Sequence, residues 1–210
     1  MLVFLQSYAP VVSAIASLGT LLIWAIYLHI FVGGHLRQIK PMLVINRGEG
    51  RTLGASCLVT NMSREPVHIQ SVVATVTTQE MTYNAYITDA EDIRGSGRTS
   101  DWQRLTRQGP LQPGTMVDMG TFGCILDFAA RSWSNEPAFI DSHFGELATG
   151  VEITVLGIYG SEDLLIGASR SFEIDRSKSE IELRAVTALT RQLTAKKERK
   201  RLLHAIEEQL

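Results

Sequence analysis

Residues 11–32, VVSAIASLGTLLIWAIYLHIFV, form an apolar run of 22 residues without a charged side chain, and the first charged side chain of the chain is Arg37. At about 1.5 Å of rise per residue, a helix over this run is about 33 Å long. That length matches a bilayer hydrocarbon core of about 30 Å. The run therefore predicts one transmembrane helix, and we assign residues 1–36 to a membrane anchor.

The anchor differs from a cleaved signal peptide. A signal peptide has a basic start, a shorter apolar stretch and a small-residue cleavage site. Residues 1–10 contain no Lys or Arg, and the apolar run is too long. Pro10 stands where the first turn of a helix tolerates proline. We expect the anchor to be retained.

Basic residues near the anchor predict its direction. Arg37, Lys40 and Arg47 follow the apolar run, whereas only the terminal amine precedes it. Because cytoplasmic flanks carry an excess of Lys and Arg, the remainder of the chain is predicted to be cytoplasmic, on a plasma or bacterial inner membrane. Trp24 and Tyr27 lie toward the end of the run, where aromatic rings favour the lipid headgroup zone.

One face of the anchor carries small side chains. Ala9, Ser13 and Ser17 recur every four residues. Small groups at this spacing let two helices approach closely, which predicts self-association through this face. The alternative is that these short side chains face lipid, since the sequence has no Gly-x-x-x-Gly motif here.

Charge is distributed unevenly behind a formal net charge of −2. Residues 41–175 contain 9 Lys and Arg against 17 Asp and Glu, whereas residues 176–210 contain 9 against 5. An acidic segment thus precedes a basic one. The roughly 135 residues of the acidic segment suffice for one ordinary domain with its own core.

The chain has two cysteines, Cys57 and Cys124. Two are too few for a disulfide framework and are ordinary in a reducing compartment. We interpret both as small buried apolar residues. In an oxidising compartment they could instead form one bridge.

Short apolar segments with turn residues between them predict a mainly β domain over residues 37–175. Val, Ile and aromatic residues at alternating positions are typical of strands. The number of strands favours an antiparallel sandwich of immunoglobulin-like type, although the Cys, Trp and Cys spacing of antibody domains is absent. The predicted strands are 42–46, 55–60, 67–77, 83–88, 116–122, 151–159 and 164–174, the last two forming a hairpin.

Two further features interrupt the strand pattern. Residues 89–109 are polar and rich in Gly, Ser, Asp and Arg, which predicts a long surface loop and a candidate binding surface. Residues 123–133 place apolar side chains at helical spacing, which predicts a short helix.

Residues 176–210 are predicted to form a basic amphipathic helix. Ser177 and Glu180 have the spacing of a capping box, and no Gly or Pro follows. The apolar residues fall into two groups, each of which forms a stripe along the predicted helix. These are Leu183, Val186, Leu189 and Leu193, followed by Leu202, Leu203, Ile206 and Leu210.

The predicted helix contains a run of five positive charges in six residues, 196–201. The run is explained by solvation alone, by contact with anionic lipid headgroups, or by docking on an acidic protein surface. Nucleic-acid binding is disfavoured because the preceding domain is acidic. The candidate contact residues are Lys196, Lys197, Arg199, Lys200 and Arg201, with Leu202, Leu203 and Ile206 beside them.

Catalytic and metal-binding motifs are absent from the sequence. His68 with Cys57, and His143 with Asp141, are conceivable pairs, but no nucleophile-elbow sequence accompanies either of them. The spacings Cys-x-x-Cys, His-x-x-x-His and His-Glu-x-x-His do not occur. We therefore expect no enzyme activity, cofactor or metal.

The sequence favours a membrane-tethered interaction or scaffold module, with membrane lipid and either a protein partner or a second copy as its contacts. One alternative is a small membrane-anchored hydrolase, which would need a pocket that joins a histidine to an acid and a nucleophile. Another is an envelope protein of reversed topology with a bridge from Cys57 to Cys124.

Overall fold

The computed structural model describes residues 2–38, 40–87, 108–133, 147–160, 165–177 and 180–207. The chain divides into two compact units, Met1–Lys40 and Pro41–Leu210. The first unit contains helix α1, Leu2–Gln38. The second contains β1 Leu43–Arg47, β2 Ser56–Asn61, β3 Val67–Thr78, β4 Thr82–Tyr86, β5 Gly109–Leu111, β6 Met116–Thr121, α2 Phe122–Trp133, β7 Ala148–Tyr159, β8 Ile166–Asp175, β9 Glu182–Ala185, β10 Arg191–Gln192 and α3 Lys196–Glu207.

Helix α1 contains a segment, Tyr8–Gly34, that is long and apolar enough to cross a membrane. The helix begins at Leu2, so Pro10 lies in its interior. The prediction that Pro10 occupies the first turn was wrong, because the apolar residues before it extend the helix toward the N-terminus. Interior proline is tolerated in helices that cross membranes.

The second unit is built from two antiparallel sheets, as the strand pattern predicted. The smaller sheet has the order β1-β2-β6. The larger has the order β10-β8-β7-β3-β4, with β5 added to β3 and β9 added to β8. The hairpin of β7 and β8 is confirmed, with Val151 opposite Phe172 and Val155 opposite Ala168. The immunoglobulin-like type of sandwich stays a prediction.

Alternating side chains of both sheets enter the core. On β1, Leu43 and Ile45 are buried, and on β2 the buried side chains are Cys57 and Val59. This period of two follows from the opposite directions of successive side chains in a strand. The pairing of β3 with β7 shifts in register between Ile69 and Ser71.

Helix α2 confirms the predicted short helix. Its buried face carries Ile125, Leu126 and Ala129 at spacings of one and three residues. At its start, the Phe122 ring contacts the Phe172 ring of β8 edge-on, with centroids 4.7 Å apart. The predicted loop 89–109 lies outside the described residues except for Gln108 and Gly109, and β5 begins at Gly109.

The prediction of one helix over residues 176–210 was wrong. Residues 182–185 and 191–192 are strands that both pair with β8, and the helix begins only at Lys196. Ser177 makes no capping box, since its N–H and hydroxyl donate to Asp175 Oδ1 at 2.9 and 2.6 Å. The predicted domain boundary near residue 175 also falls inside the second unit.

Strand pairing explains why these residues are not helical. Strand β8 is paired with β7 along one edge, and its other edge carries unpaired backbone groups unless a further strand covers it. Residues 182–193 cover this edge, burying Leu183 and Leu193. Gly167 permits the close approach, because a Cβ there would lie 2.7 Å from Leu193 Cδ1. Tertiary pairing thus overrides a helical spacing of apolar residues.

Side chains, in place of a further strand, join this segment to the outer edge of β1. The Leu43 N–H donates to Gln192 Oε1 at 3.2 Å, and Gln192 Nε2 donates to the Leu43 carbonyl at 2.6 Å. The Ile45 N–H donates to the Thr190 hydroxyl at 2.9 Å, and this hydroxyl donates to the Ile45 carbonyl at 3.2 Å. Arg170 Nη1 also donates to the Ile45 carbonyl, at 2.6 Å. These bonds connect the small sheet to the large one.

Replacing Gln192 by leucine tests this connection. The change leaves the N–H and carbonyl of Leu43 without their partners, so we expect a loss of about 2–4 kcal/mol in the free energy of unfolding. The measurement is urea unfolding of the full chain in detergent, followed by circular dichroism.

The matched control is Gln112→Leu at an exposed position, which should change the free energy of unfolding by less than about 0.5 kcal/mol. Equal stability of the two variants would contradict the connection through Gln192.

Candidate functional site

The aromatic residues predicted to lie at a membrane interface are exposed on α1. Trp24 and Tyr27 are 65% and 59% exposed. Their rings meet edge-on at 5.9 Å, and Tyr27 stacks on Phe31 at 6.3 Å. The structure thus brings these three rings together in a short aromatic ridge on α1.

The other predicted anchor residues are also on the surface where their side chains are described. Ala9, Ser13 and Ser17 are exposed along α1, and Lys40 is exposed after it. The side chain of Arg37 lies outside the described residues. A role in helix packing or membrane orientation stays a prediction for all five.

The basic run divides into two groups on α3. Lys196, Lys197, Lys200 and Arg201 are exposed. Arg199 is half-buried, and its Nε donates to the carbonyl of Leu165. One of the five candidate contact cations is therefore used to hold α3 against the β unit, whereas the other four face solvent.

The apolar candidate contact residues of α3 are partly covered where their side chains are described. Leu202 and Leu203 are half-buried, and the side chain of Ile206 lies outside the described residues. A contact with lipid or a partner through these residues stays a prediction. Their apolar side chains are partly covered by the protein itself.

The Arg191 side chain on β10 contacts three other elements, β7, β8 and α3. Its Nη1 donates to Glu198 Oε1 on α3 at 2.8 Å, and its Nη2 lies 3.8 Å from Glu152 Oε1 on β7. Its Nε donates to Ser169 Oγ on β8 at 3.2 Å. Since the Arg191 side chain is 60% exposed, each ion pair stabilises the fold only weakly. Together they fix the direction in which α3 leaves β10.

The most exposed apolar side chain that the structure describes in the β unit was not predicted as a surface group. Between β9 and β10, residues 186–189 bulge away from β8, and we call these four residues the apolar tip. Val186 is 61% exposed and Leu189 is 79% exposed. A sequence signal was present, because Val186, Thr187 and Thr190 are β-branched and favour strands over helix.

Arg170 on β8 holds the apolar tip in place. Its Nη2 donates to the carbonyls of Thr187 and Ala188, at 3.2 Å each. Burial lowers the pKa of Arg170, and the nearby charge of Arg47 lowers it further. An arginine keeps its charge under these conditions, so its hydrogen bonds to carbonyls are charge-assisted. The partly buried guanidinium of Arg170 therefore orders the backbone of the apolar tip.

The candidate catalytic pairs are not assembled where the structure describes them. His68 is exposed on β3 of the large sheet, whereas Cys57 is buried on β2 of the small sheet. His143 and Asp141 lie outside the described residues. Among the described residues, no group of three or more His, Cys, Asp or Glu side chains could hold a metal ion. Cys57 is buried, Cys124 is half-buried, and no disulfide joins the two.

No protein-family model, no curated protein and no solved structure matches this chain.

Replacing Arg170 by methionine tests the ordering of the apolar tip. The change removes the donor to Thr187, Ala188 and Ile45, and we expect a loss of about 2–3 kcal/mol in unfolding free energy. It should also raise the rate of backbone hydrogen exchange across residues 186–190, measured by mass spectrometry.

Arg184→Met is the matched control, since Arg184 is exposed on β9. It should leave both quantities nearly unchanged. Unaltered exchange of the tip in the Arg170 variant would show that Arg170 does not order it.

Proposed function

We propose that this chain is a single-pass membrane protein whose β unit serves as an interaction or scaffold module. The observation that carries the proposal is the exposure of α1. Fifteen large apolar side chains between Tyr8 and Val32 are at least 43% exposed. At roughly 1.5 kcal/mol for each side chain, leaving them in water costs on the order of 20 kcal/mol, which a bilayer core removes.

The basic flank supports an orientation with the β unit in the cytoplasm, on a plasma or bacterial inner membrane. Arg37, Lys40 and Arg47 follow the apolar segment, and the segment before it has no Lys or Arg. Basic residues are retained on the cytoplasmic side during insertion. In this orientation Cys57 and Cys124 stay reduced.

The module acts by recruitment and not by catalysis in this proposal. Its two sheets form an immunoglobulin-like sandwich, and the anchor confines this sandwich to the membrane plane. A weak contact with a protein partner then gains from a raised effective concentration. A second copy is a partner of the same kind, through the small face of Ala9, Ser13 and Ser17. Nucleic acid is disfavoured by the net charge of −8 on residues 41–175.

A charge in the middle of α1 tests the anchor. Leu22→Arg places a cation near the centre of the apolar segment, at a cost of about 2.5–3.5 kcal/mol in a membrane helix. We expect this variant to be partly released by an alkaline carbonate wash, whereas the unmodified chain and the Leu22→Ala control stay with the membranes. Release of the unmodified chain without detergent would contradict the proposal.

A second readout tests the orientation. Glu80 is exposed between β3 and β4, so a cysteine placed there is accessible to a thiol reagent. We expect a membrane-impermeant reagent to label Glu80→Cys only after the cells are lysed. Labelling of intact cells would place the β unit outside and support the reversed topology.

A further inference from the structure

The apolar tip is a preorganised protrusion. Its entry is fixed by the Val186 N–H, which donates to the Ser171 carbonyl at 3.0 Å. Its exit is fixed by Thr190, whose hydroxyl is bonded to Ile45. The exposed side chains of Val186 and Leu189 thus lie on a backbone segment that is hydrogen-bonded at both ends. This pair of exposed apolar side chains is a candidate contact surface.

Three backbone carbonyls of the tip are hydrogen-bonded within the protein. The carbonyls of Thr187 and Ala188 turn inward to Arg170, and the carbonyl of Leu189 accepts from the Thr187 hydroxyl at 2.8 Å. In lipid, unpaired backbone polar groups are costly, so groups already bonded within the protein lower the cost of entry. The carbonyls of residues 187–189 thus each have a hydrogen-bond partner within the protein.

The tip lies in the most basic part of the chain. Residues 184–201 contain seven Lys and Arg and one Asp or Glu, Glu198, whose carboxylate is paired with Arg191. Along β8 and the residue before it, the tip bonds to Ser171, the β10 segment contacts Ser169 and Gly167, and α3 bonds to Leu165. The tip, β10 and the start of α3 are therefore spaced over about 20 Å. The exposed Arg184 adjoins the tip along the chain, and the exposed cations of α3 lie about 20 Å farther in the direction of β8.

We propose that the apolar tip inserts into the headgroup zone of an anionic lipid bilayer, with the exposed cations of α3 drawn to the same surface. Charge complementarity commits the surface to this occupant, because apolar groups flanked by Lys and Arg match an anionic interface. A neutral protein pocket would use Val186 and Leu189 but leave Lys196, Lys197, Lys200 and Arg201 without a role. The inference rests on the proposed membrane anchoring.

The test places an environment-sensitive fluorophore at the tip of the full chain. Leu189→Cys is made in a Cys124→Ser background, where the remaining Cys57 is buried, and is labelled through the new thiol. Glu80→Cys in the same background is the control. Both proteins are reconstituted into vesicles of phosphatidylcholine alone, and into vesicles that also contain phosphatidylglycerol.

We expect both proteins to float with both kinds of vesicle, and the emission of the residue 189 label to shift to the blue only with phosphatidylglycerol. The residue 80 label should not shift. Lys200→Glu combined with Arg201→Glu should remove most of the shift at residue 189 without preventing flotation.

Three results would overturn the inference: no blue shift at residue 189, an equal shift in both vesicles, or a shift that requires an added protein extract. Failure of the chain to float would instead overturn the proposed anchoring. Flotation and emission therefore separate the two proposals.

Discussion

The arrangement of the β unit depends on how the outer edge of β1 is satisfied. Leu43 and Ile45 are buried, yet no strand within the described ranges neighbours their outward backbone groups. Gln192 and Thr190 replace such a strand, each accepting from an N–H and donating to the carbonyl of the same residue. Because unpaired buried amides are costly, this edge and the C-terminal segment must fold together. The segment thereby fixes the apolar tip and the start of α3.

Much of this fold could be predicted from local pattern. The paired strands β7 and β8 alternate apolar and polar residues around a clear turn, and α2 shows its buried face in the spacing of Ile125, Leu126 and Ala129. The apolar segment of α1 is visible from composition alone. These elements are local, since the information that defines each of them lies within a dozen or so adjacent residues.

The C-terminal segment shows where local reasoning fails. Leu183, Val186, Leu189 and Leu193 have helical spacing, yet Leu183 and Leu193 are buried while Val186 and Leu189 are exposed. The edge of β8 that selects an extended conformation cannot be seen in the segment itself. The three-residue strand β5 was missed for the same reason, because it exists only through pairing with β3.

The candidate membrane-contact surface, formed by the exposed cations of α3 and the apolar tip, was also predictable only in part. The basic run of α3 is visible as a charge cluster, but its division into four exposed cations and a docked Arg199 depends on the distant Leu165 carbonyl. Arg170 gives no sequence signal at all. Its partner Ile45 is 125 residues away, and the tip that it orders was attributed to a helix. The composition of this surface can thus be read from the sequence, whereas the long-range hydrogen bonds that hold its backbone in place cannot.

Amide hydrogen exchange of the full chain in lipid nanodiscs tests most directly the claim that the C-terminal segment closes the edge of β1. The account predicts that the amides of Leu43 and Ile45 are protected, and that those of Leu183 and Leu193 are protected with them. Protection of Leu43 and Ile45 with rapid exchange across residues 182–193 would contradict it, as would a helical pattern of protection in that segment.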